Sequence, residues 1–223
     1  MLVIIPSVLG PRDLETVNEL FEQGEFVDGK LSAGSAAQLV KNNSEMDQKS
    51  DVYKQLNKLV LNNLMRHPLF KNAALANKIA SPFYARYGIG QQYGDHIDDP
   101  VMGAPHYFRS DVSTTVFLNG PEAYDGGELV VRTTYGEKVM KLPAGHAVVY
   151  PSHSLHHVNE VLSGERRVMV TWIQSMIRSA EKREVLFGIN SVREKMLRKA
   201  PTDEDTKKLD IAYANLFRMW AEV

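Results

Sequence analysis

The chemistry-bearing residues of this chain begin with a His-x-Asp pair. His96 and Asp98 lie in Tyr87 to Pro100, which reads Y-G-I-G-Q-Q-Y-G-D-H-I-D-D-P. Residues two apart on an extended chain point to the same face, so the His96 imidazole and the Asp98 carboxylate can grip one metal ion. Sixty residues after His96 comes the stretch from Leu155 to Arg166, opening with His156 and His157. A third ligand from there completes two histidines and one carboxylate on one triangular face of an octahedron. That set leaves coordination positions open and is the pattern of non-heme Fe(II) oxygen chemistry. Neither half is decisive alone, because an H-x-D triplet is common by chance and a lone exposed one reads as a solvated turn.

The second stretch changes the balance. From His156 to Arg166 it follows H-x-V-x-x-V-x-x-G-x-R. Here the chain resembles the Fe(II)/2-oxoglutarate-dependent dioxygenases of the prolyl 4-hydroxylase type, and within them the bacterial PKHD-type hydroxylases associated with iron uptake. The resemblance runs through nearly the whole chain. It includes Met1 to Pro6, Asp28-Gly29 with Ala33-Gly34, Val40-Lys41-Asn42-Asn43, Arg109-Ser110-Asp111, Gly126-Gly127-Glu128-Leu129 and Trp172-Ile173-Gln174-Ser175. It implies Fe(II) on His96, Asp98 and His156, with 2-oxoglutarate as cosubstrate and ascorbate as a further bound cofactor. It also implies that Arg166 takes the far carboxylate of 2-oxoglutarate, that Tyr87 hydrogen-bonds the cosubstrate, and that succinate and CO2 are released. The substrate is left open among an amino acid, a peptide or protein side chain, and a small molecule such as an iron chelator.

The residues carry part of this without the resemblance. A guanidinium binds a carboxylate through two parallel hydrogen bonds, and Arg166 is expected across a turn from His156, on the strand beside it. Arg166, Val168, Val170 and Trp172 alternate onto one face, the interior, which sends Arg167 outward. By the same alternation His157 faces away from His156, where it could line the substrate entrance, and Asp95 and Asp99 point away from the metal. His106 falls in an insertion expected as a mobile loop over the pocket. His146 and His153 sit at strand starts with surface or supporting duty, Tyr93 packs, and Arg109 pairs with Asp111. Gly88 and Gly90 make no phosphate loop, since no lysine or helix start follows in place.

The elements that must position these groups are mostly strands. Phe83–Tyr87, Tyr93–Asp98, Val112–Leu118, Glu128–Arg132, Lys138–Leu142, Ala147–Tyr150, Leu155–Val161 and Arg166–Gln174 read as eight short strands, the pattern of a jelly roll. Lys138 to Leu142 alternates as a strand with one wet face should. Before them, a strand over residues 2–5 precedes a helix from Pro11 carrying Leu14, Val17, Leu20 and Phe21, and residues 26–43 are a loop-and-strand segment. A second helix over residues 47–67 ends at His67, before Pro68. At the end, two helices follow Glu181 and Thr202. The second presents Leu209, Ala212, Tyr213, Leu216 and Trp220 to the sheet or to a partner subunit, which makes a homodimer plausible. The expected class is mostly β with flanking helices: a double-stranded β-helix over 1–177 with N-terminal helical support, and a helical extension over 178–223.

Composition sets the outer limits. The 223 residues carry a net charge of −1, with 43% hydrophobic and 24% charged residues, so a large core is available and no bulk field draws nucleic acid or an anionic membrane. The absence of cysteine excludes disulfides, thiolate metal sites and cysteine nucleophiles. The apolar start is five residues long with no basic leader, from which a cytoplasmic protein is expected. A sensor that binds iron or a small acid on the same scaffold is the alternative to an enzyme. A halogenase is disfavoured, because Asp98 occupies the place a bound halide would need.

Overall fold

The computed structural model describes residues 1–223. Its centre is two antiparallel sheets facing each other. The larger runs β1 (Val3–Ile5), β14 (Ala147–Pro151), β10 (Val112–Phe117), β17 (Arg166–Ser175), β6 (Phe83–Tyr87), β4 (Ser44–Met46), β2 (Phe26–Asp28), with β5 (Ala76–Ile79) also on β17. The smaller runs β13 (Gly136–Met140), β12 (Leu129–Thr133), β15 (His156–Val158), β7 (Gln92–His96), β3 (Lys41–Asn42). Two ribbons complete the set: β8 (Val101–Met102) with β9 (Phe108–Arg109), and β11 (Tyr124–Gly126) with β16 (Val161–Gly164). This is the jelly roll that the spacing of short strands predicts, and its eight principal strands are β6, β7, β10, β12, β13, β14, β15 and β17.

Alternation along the larger sheet builds two cores. Val112, Val116, Val149, Met169 and Ile173 point outward into one apolar cluster, while Phe117, Val148, Tyr150 and Val168 point inward into another. The larger sheet is covered on both faces, and β10 is buried at all six positions, three of them the hydroxyl residues Ser113, Thr114 and Thr115. Helices cover the outer face: α1 (Pro11–Glu22), then α2 (Asp51–Leu56), which passes through one π-helical turn at Asn57–Leu61 into α3 (Asn62–Arg66), then α4 (Pro68–Ala74). Val17, Leu20 and Phe21 of α1 are buried there, as are Leu56, Val60 and Leu64 at fourth-residue spacing. Each such side chain contributes about 1.5–3 kcal/mol.

Several expectations are corrected. Leu155–Val161 is not one strand: β15 ends at Val158, Asn159 donates its amide to the Glu128 carbonyl at 3.0 Å, and β16 then runs along β11. The chain crosses between sheets here, so Arg166 on β17 lies between β10 and β6 and not on the strand beside His156, whose neighbours are β12 and β7. The insertion after Asp98 is not a plain loop, for β8 and β9 make it a hairpin. Val139 lies on the wet side of the edge strand β13, 62% exposed, because nothing covers that face of the smaller sheet. Helix formation resumes at once after His67, since Pro68 suits the first position of a helix and the His67 ring accepts the Leu69 amide at 3.3 Å.

At the C-terminus α5 (Ala180–Lys199) and α6 (Glu204–Trp220) pack on each other. Tyr213, Leu216, Phe217 and Trp220 of α6 close over Leu75, Ile177 and Leu186. The stripe therefore meets α5 and this small cluster rather than the sheet, and Ala212 stays exposed. No helix is long and apolar enough to cross a membrane.

Candidate active site

His96 ends β7 and His156 begins β15, and the two are directly opposite each other in the ladder. Asp98 follows two residues on. The ligand-capable atoms of these three side chains all lie within 4.8 Å of one another, with the His156 Nε2 3.9 Å from Asp98 Oδ1. Local backbone aims both rings. His96 Nδ1 lies 2.8 Å from the Gly94 carbonyl and His156 Nδ1 lies 2.9 Å from that of Ser154. A carbonyl can only accept, so each Nδ1 carries the proton and each Nε2 presents a lone pair, the orientation that a histidine ligand needs. Burial, and then the neighbouring His156, push the His96 pKa down to about 3, so the ring stays neutral. Tyr93 stacks on the His96 ring at 3.7 Å and 13°, so the packing role expected of it is played against a candidate ligand.

Asp98 is steadied by two residues that sequence reasoning missed. The Ser113 hydroxyl donates to the Asp98 carboxylate and is hydrogen-bonded to Ser152 at 2.8 Å. For Ser113 the signal was present: Val112-Ser113-Thr114-Thr115-Val116 places three hydroxyls in a strand buried throughout, and such groups need partners.

Opposite the triad, on the larger sheet, Arg166 is 1% exposed. Its guanidinium carbon lies 5.0 Å from the Tyr87 ring and 5.6 Å from that of Phe117. Nε and Nη1 have no hydrogen-bond partner. Tyr87 is its ladder neighbour; burial raises the phenol to about 12 against the opposing pull of Arg166, so it is a hydrogen-bond donor at neutral pH. Both line one cavity of about 670 Å³ together with His96, Asp98 and His156, and Phe83, Val170 and Trp172 form its apolar side. The sheets of a sandwich pack about 10 Å apart, so groups able to ligate a metal on one wall face a free cation on the other. A small diacid fits that layout.

The remaining candidates fall elsewhere. His157 does face away: its Nδ1 meets Asp95 at 2.9 Å and its Nε2 meets Asn159 at 3.1 Å. It is absent from the cavity wall, which removes it from the substrate entrance, whereas His106 on the hairpin lines the cavity. Asp95 is held by Arg132 at 2.8 Å, and Asp99 sits at the cavity mouth, outside the triad. Arg167 points outward and pairs with Glu22 at 2.6 Å and Glu165 at 2.7 Å. Arg109 grips Asp111 with two hydrogen bonds, 2.7 and 3.0 Å.

Along its whole length the chain is 47% identical to a PKHD-type hydroxylase of Thioalkalivibrio sulfidiphilus, also covered in full. It belongs to the PKHD-type hydroxylases. The PKHD-type hydroxylase YbiX of Escherichia coli is 42% identical over 225 residues, again all of both chains. Residues 82–174 match the 2OG-Fe(II) oxygenase superfamily. A solved oxidoreductase of the 2OG-Fe(II) oxygenase family from Burkholderia pseudomallei shares the fold at a TM-score of 0.58 and 18% identity, over 78% of this chain and 85% of that one. This PKHD-type hydroxylase is accordingly a 2-oxoglutarate-dependent dioxygenase, with Fe(II), 2-oxoglutarate, O2 and a substrate as its reactants and cofactors.

Proposed function

We propose that His96, Asp98 and His156 hold the Fe(II) of this hydroxylase and that Arg166 holds the far carboxylate of 2-oxoglutarate. The observation that carries the reading is Arg166, a buried guanidinium with two nitrogens unpartnered in the wall that faces the triad. Burying a cation without an anion costs several kcal/mol, which a bound carboxylate offsets. Fe(II) with 2-oxoglutarate supplies the activation of O2, the oxidation that hydroxylates a C–H bond, and the release of succinate and CO2.

The chain's own groups do the rest. The Gly94 and Ser154 carbonyls keep each imidazole lone pair turned inward, and Ser113 keeps the Asp98 carboxylate from rotating away. Tyr87, protonated, donates to the cosubstrate beside Arg166. Val168 and Phe117 pack on the interior side and keep water from the guanidinium. In this reading residues 1–177 form the catalytic unit and 178–223 a helical extension. A homodimer through the bare Ile211 and Met219 side of α6, ascorbate as accessory reductant and a cytoplasmic setting belong to the same reading.

Titration of 2-oxoglutarate into the anaerobic Fe(II) protein, followed by its metal-to-ligand absorption band, tests it. The parent should develop the band with saturation, and Arg166→Ala should bind Fe(II) yet need far more 2-oxoglutarate. An unchanged midpoint in Arg166→Ala removes the assignment.

A further inference from the structure

The cavity carries a polar wall that neither the metal nor 2-oxoglutarate uses. Lys41, Asn43 and Glu45 alternate along the crossing from β3 to β4, so they share one face, and all three line the cavity. Their exposures are 6%, 3% and 6%. Lys41 Nζ donates to Glu45 Oε1 at 2.5 Å and to the Ser32 hydroxyl at 2.8 Å, and lies 5.3 Å from the centre of the Tyr93 ring. Two of its three donors are thus taken. Of the acceptors, Asn43 Oδ1 is turned against Gly29, where an added Cβ would lie 1.9 Å from it, whereas the protein's hydrogen bond to the Glu45 carboxylate reaches Oε1 and leaves Oε2 for a ligand. Tyr93 stacks on His96, so this wall stands one ring away from the metal ligands.

The charges of the cavity point the same way. Its charged wall residues are Lys41, Glu45, Asp98, Asp99 and Arg166. Fe(II) with Asp98, and the 2-oxoglutarate dianion with Arg166, sum to zero, and Lys41 cancels Glu45. Asp99 is left over. It forms no ion pair and stands at the mouth against Gly34, where an added Cβ would lie 2.9 Å from Oδ2. Phe83, Tyr93, Phe108 and Trp172 offer aromatic surface between mouth and floor, and ring faces attract cations. Asp99 is exposed, so water with its salt screens its field beyond about 10 Å, but within that range it draws an entering cation toward the mouth.

We propose that the substrate carries an ammonium or guanidinium group, drawn in past Asp99 and held at Glu45, with Lys41 fixing Glu45 in place. This rests on the reading of the site given above. The test is calorimetric titration into the anaerobic Fe(II)–2-oxoglutarate protein. The probes are 1-aminohexane, 1-hexanol and hexanoate, with acetyl-Gly-Lys-Gly amide and its norleucine analogue as the peptide arm. An amine should bind on the order of tenfold more tightly than its neutral match, the scale of one hydrogen bond to a charged group. Whether the free or the peptidyl amine gains more tells a small-molecule source from a protein side chain. Glu45→Gln and Asp99→Asn should each erase most of that preference. Asp99→Asn, isosteric and exposed, carries the test alone if Glu45→Gln, with Lys41 stranded, does not fold. Equal or tighter binding of hexanol, hexanoate or the norleucine peptide overturns the proposal, as does an amine preference unchanged in Asp99→Asn. If the 2-oxoglutarate band never forms in the parent, the site reading fails and takes the inference with it. A normal band without amine preference overturns the inference alone.

Discussion

Two arginines are almost wholly buried in this protein, and they are buried for opposite reasons. Arg183, on α5, is 4% exposed and gives its donors to backbone carbonyls: Ile177 at 2.7 Å, Arg178 at 2.8 Å and Asp111 at 3.2 Å. It closes the open end of the chain segment leading into α5 and ties that segment to the start of β10. Arg166 is buried deeper, yet Nε and Nη1 bond to nothing. Arg183 bonds carbonyls through both of its Nη nitrogens and acts as a structural clasp, whereas a guanidinium with two wholly unpartnered nitrogens in a cavity wall is a candidate binding group. Burial alone does not separate the two; the count of satisfied donors does.

The largest effect that bears on this contrast is at the metal, because a free guanidinium has meaning only with a partner site opposite. Asp98→Ala should weaken Fe(II) binding by more than the 10–100-fold typical of groups that merely support a ligand, with the fold retained by circular dichroism. Stoichiometric Fe(II) in that variant would leave Arg166 facing no metal centre.

The next test exchanges the two arginines' fates. Arg166→Met should raise the Kd for 2-oxoglutarate on the order of 100-fold, since two hydrogen bonds to a charged group contribute about 1.5–3 kcal/mol each. Without cosubstrate its urea midpoint should equal or exceed the parent's, because an unpaired buried charge has been removed. Arg183→Met should do the reverse: about 3 kcal/mol of stability lost through stranded carbonyls, and 2-oxoglutarate affinity unchanged. A stability loss in Arg166→Met as large as in Arg183→Met would erase the distinction.

His157→Ala sharpens the register on which the whole site depends. Asp95 and Asn159 hold His157 away from the cavity, so Fe(II) affinity should be kept and stability should fall by about 1 kcal/mol. Loss of iron there, with iron retained in His156→Ala, would shift β15 by one residue and invert its faces. The smallest effect is expected of Arg167→Ala. Its pair with Glu22 is at the surface, Glu22 being 68% exposed, so about 0–1 kcal/mol should be lost and 2-oxoglutarate binding should not change.

What the sequence determined by itself is local. The His-x-Asp spacing placed two candidate ligands on one side of a strand, alternation set His156 against His157 and Arg166 against Arg167, and the rhythm of short strands marked a jelly roll. All of these depend on geometry within a few residues, where the period of an extended chain is two. What tertiary structure decided is which strand lies beside which. Arg166 was expected next to His156 and stands instead on the opposite sheet, because β16 pairs with β11 and carries the chain across. Ser113 meets Asp98 from fifteen residues away, and the Arg183 clasp on Asp111 spans seventy-two. Lys41, Asn43 and Glu45 share a face by their spacing, yet that the face lines the cavity of His96, Asp98 and His156 follows from β3 joining the smaller sheet and β4 the larger. Pairing between distant segments is fixed by the burial of both partners at once, and no window along one strand contains that information.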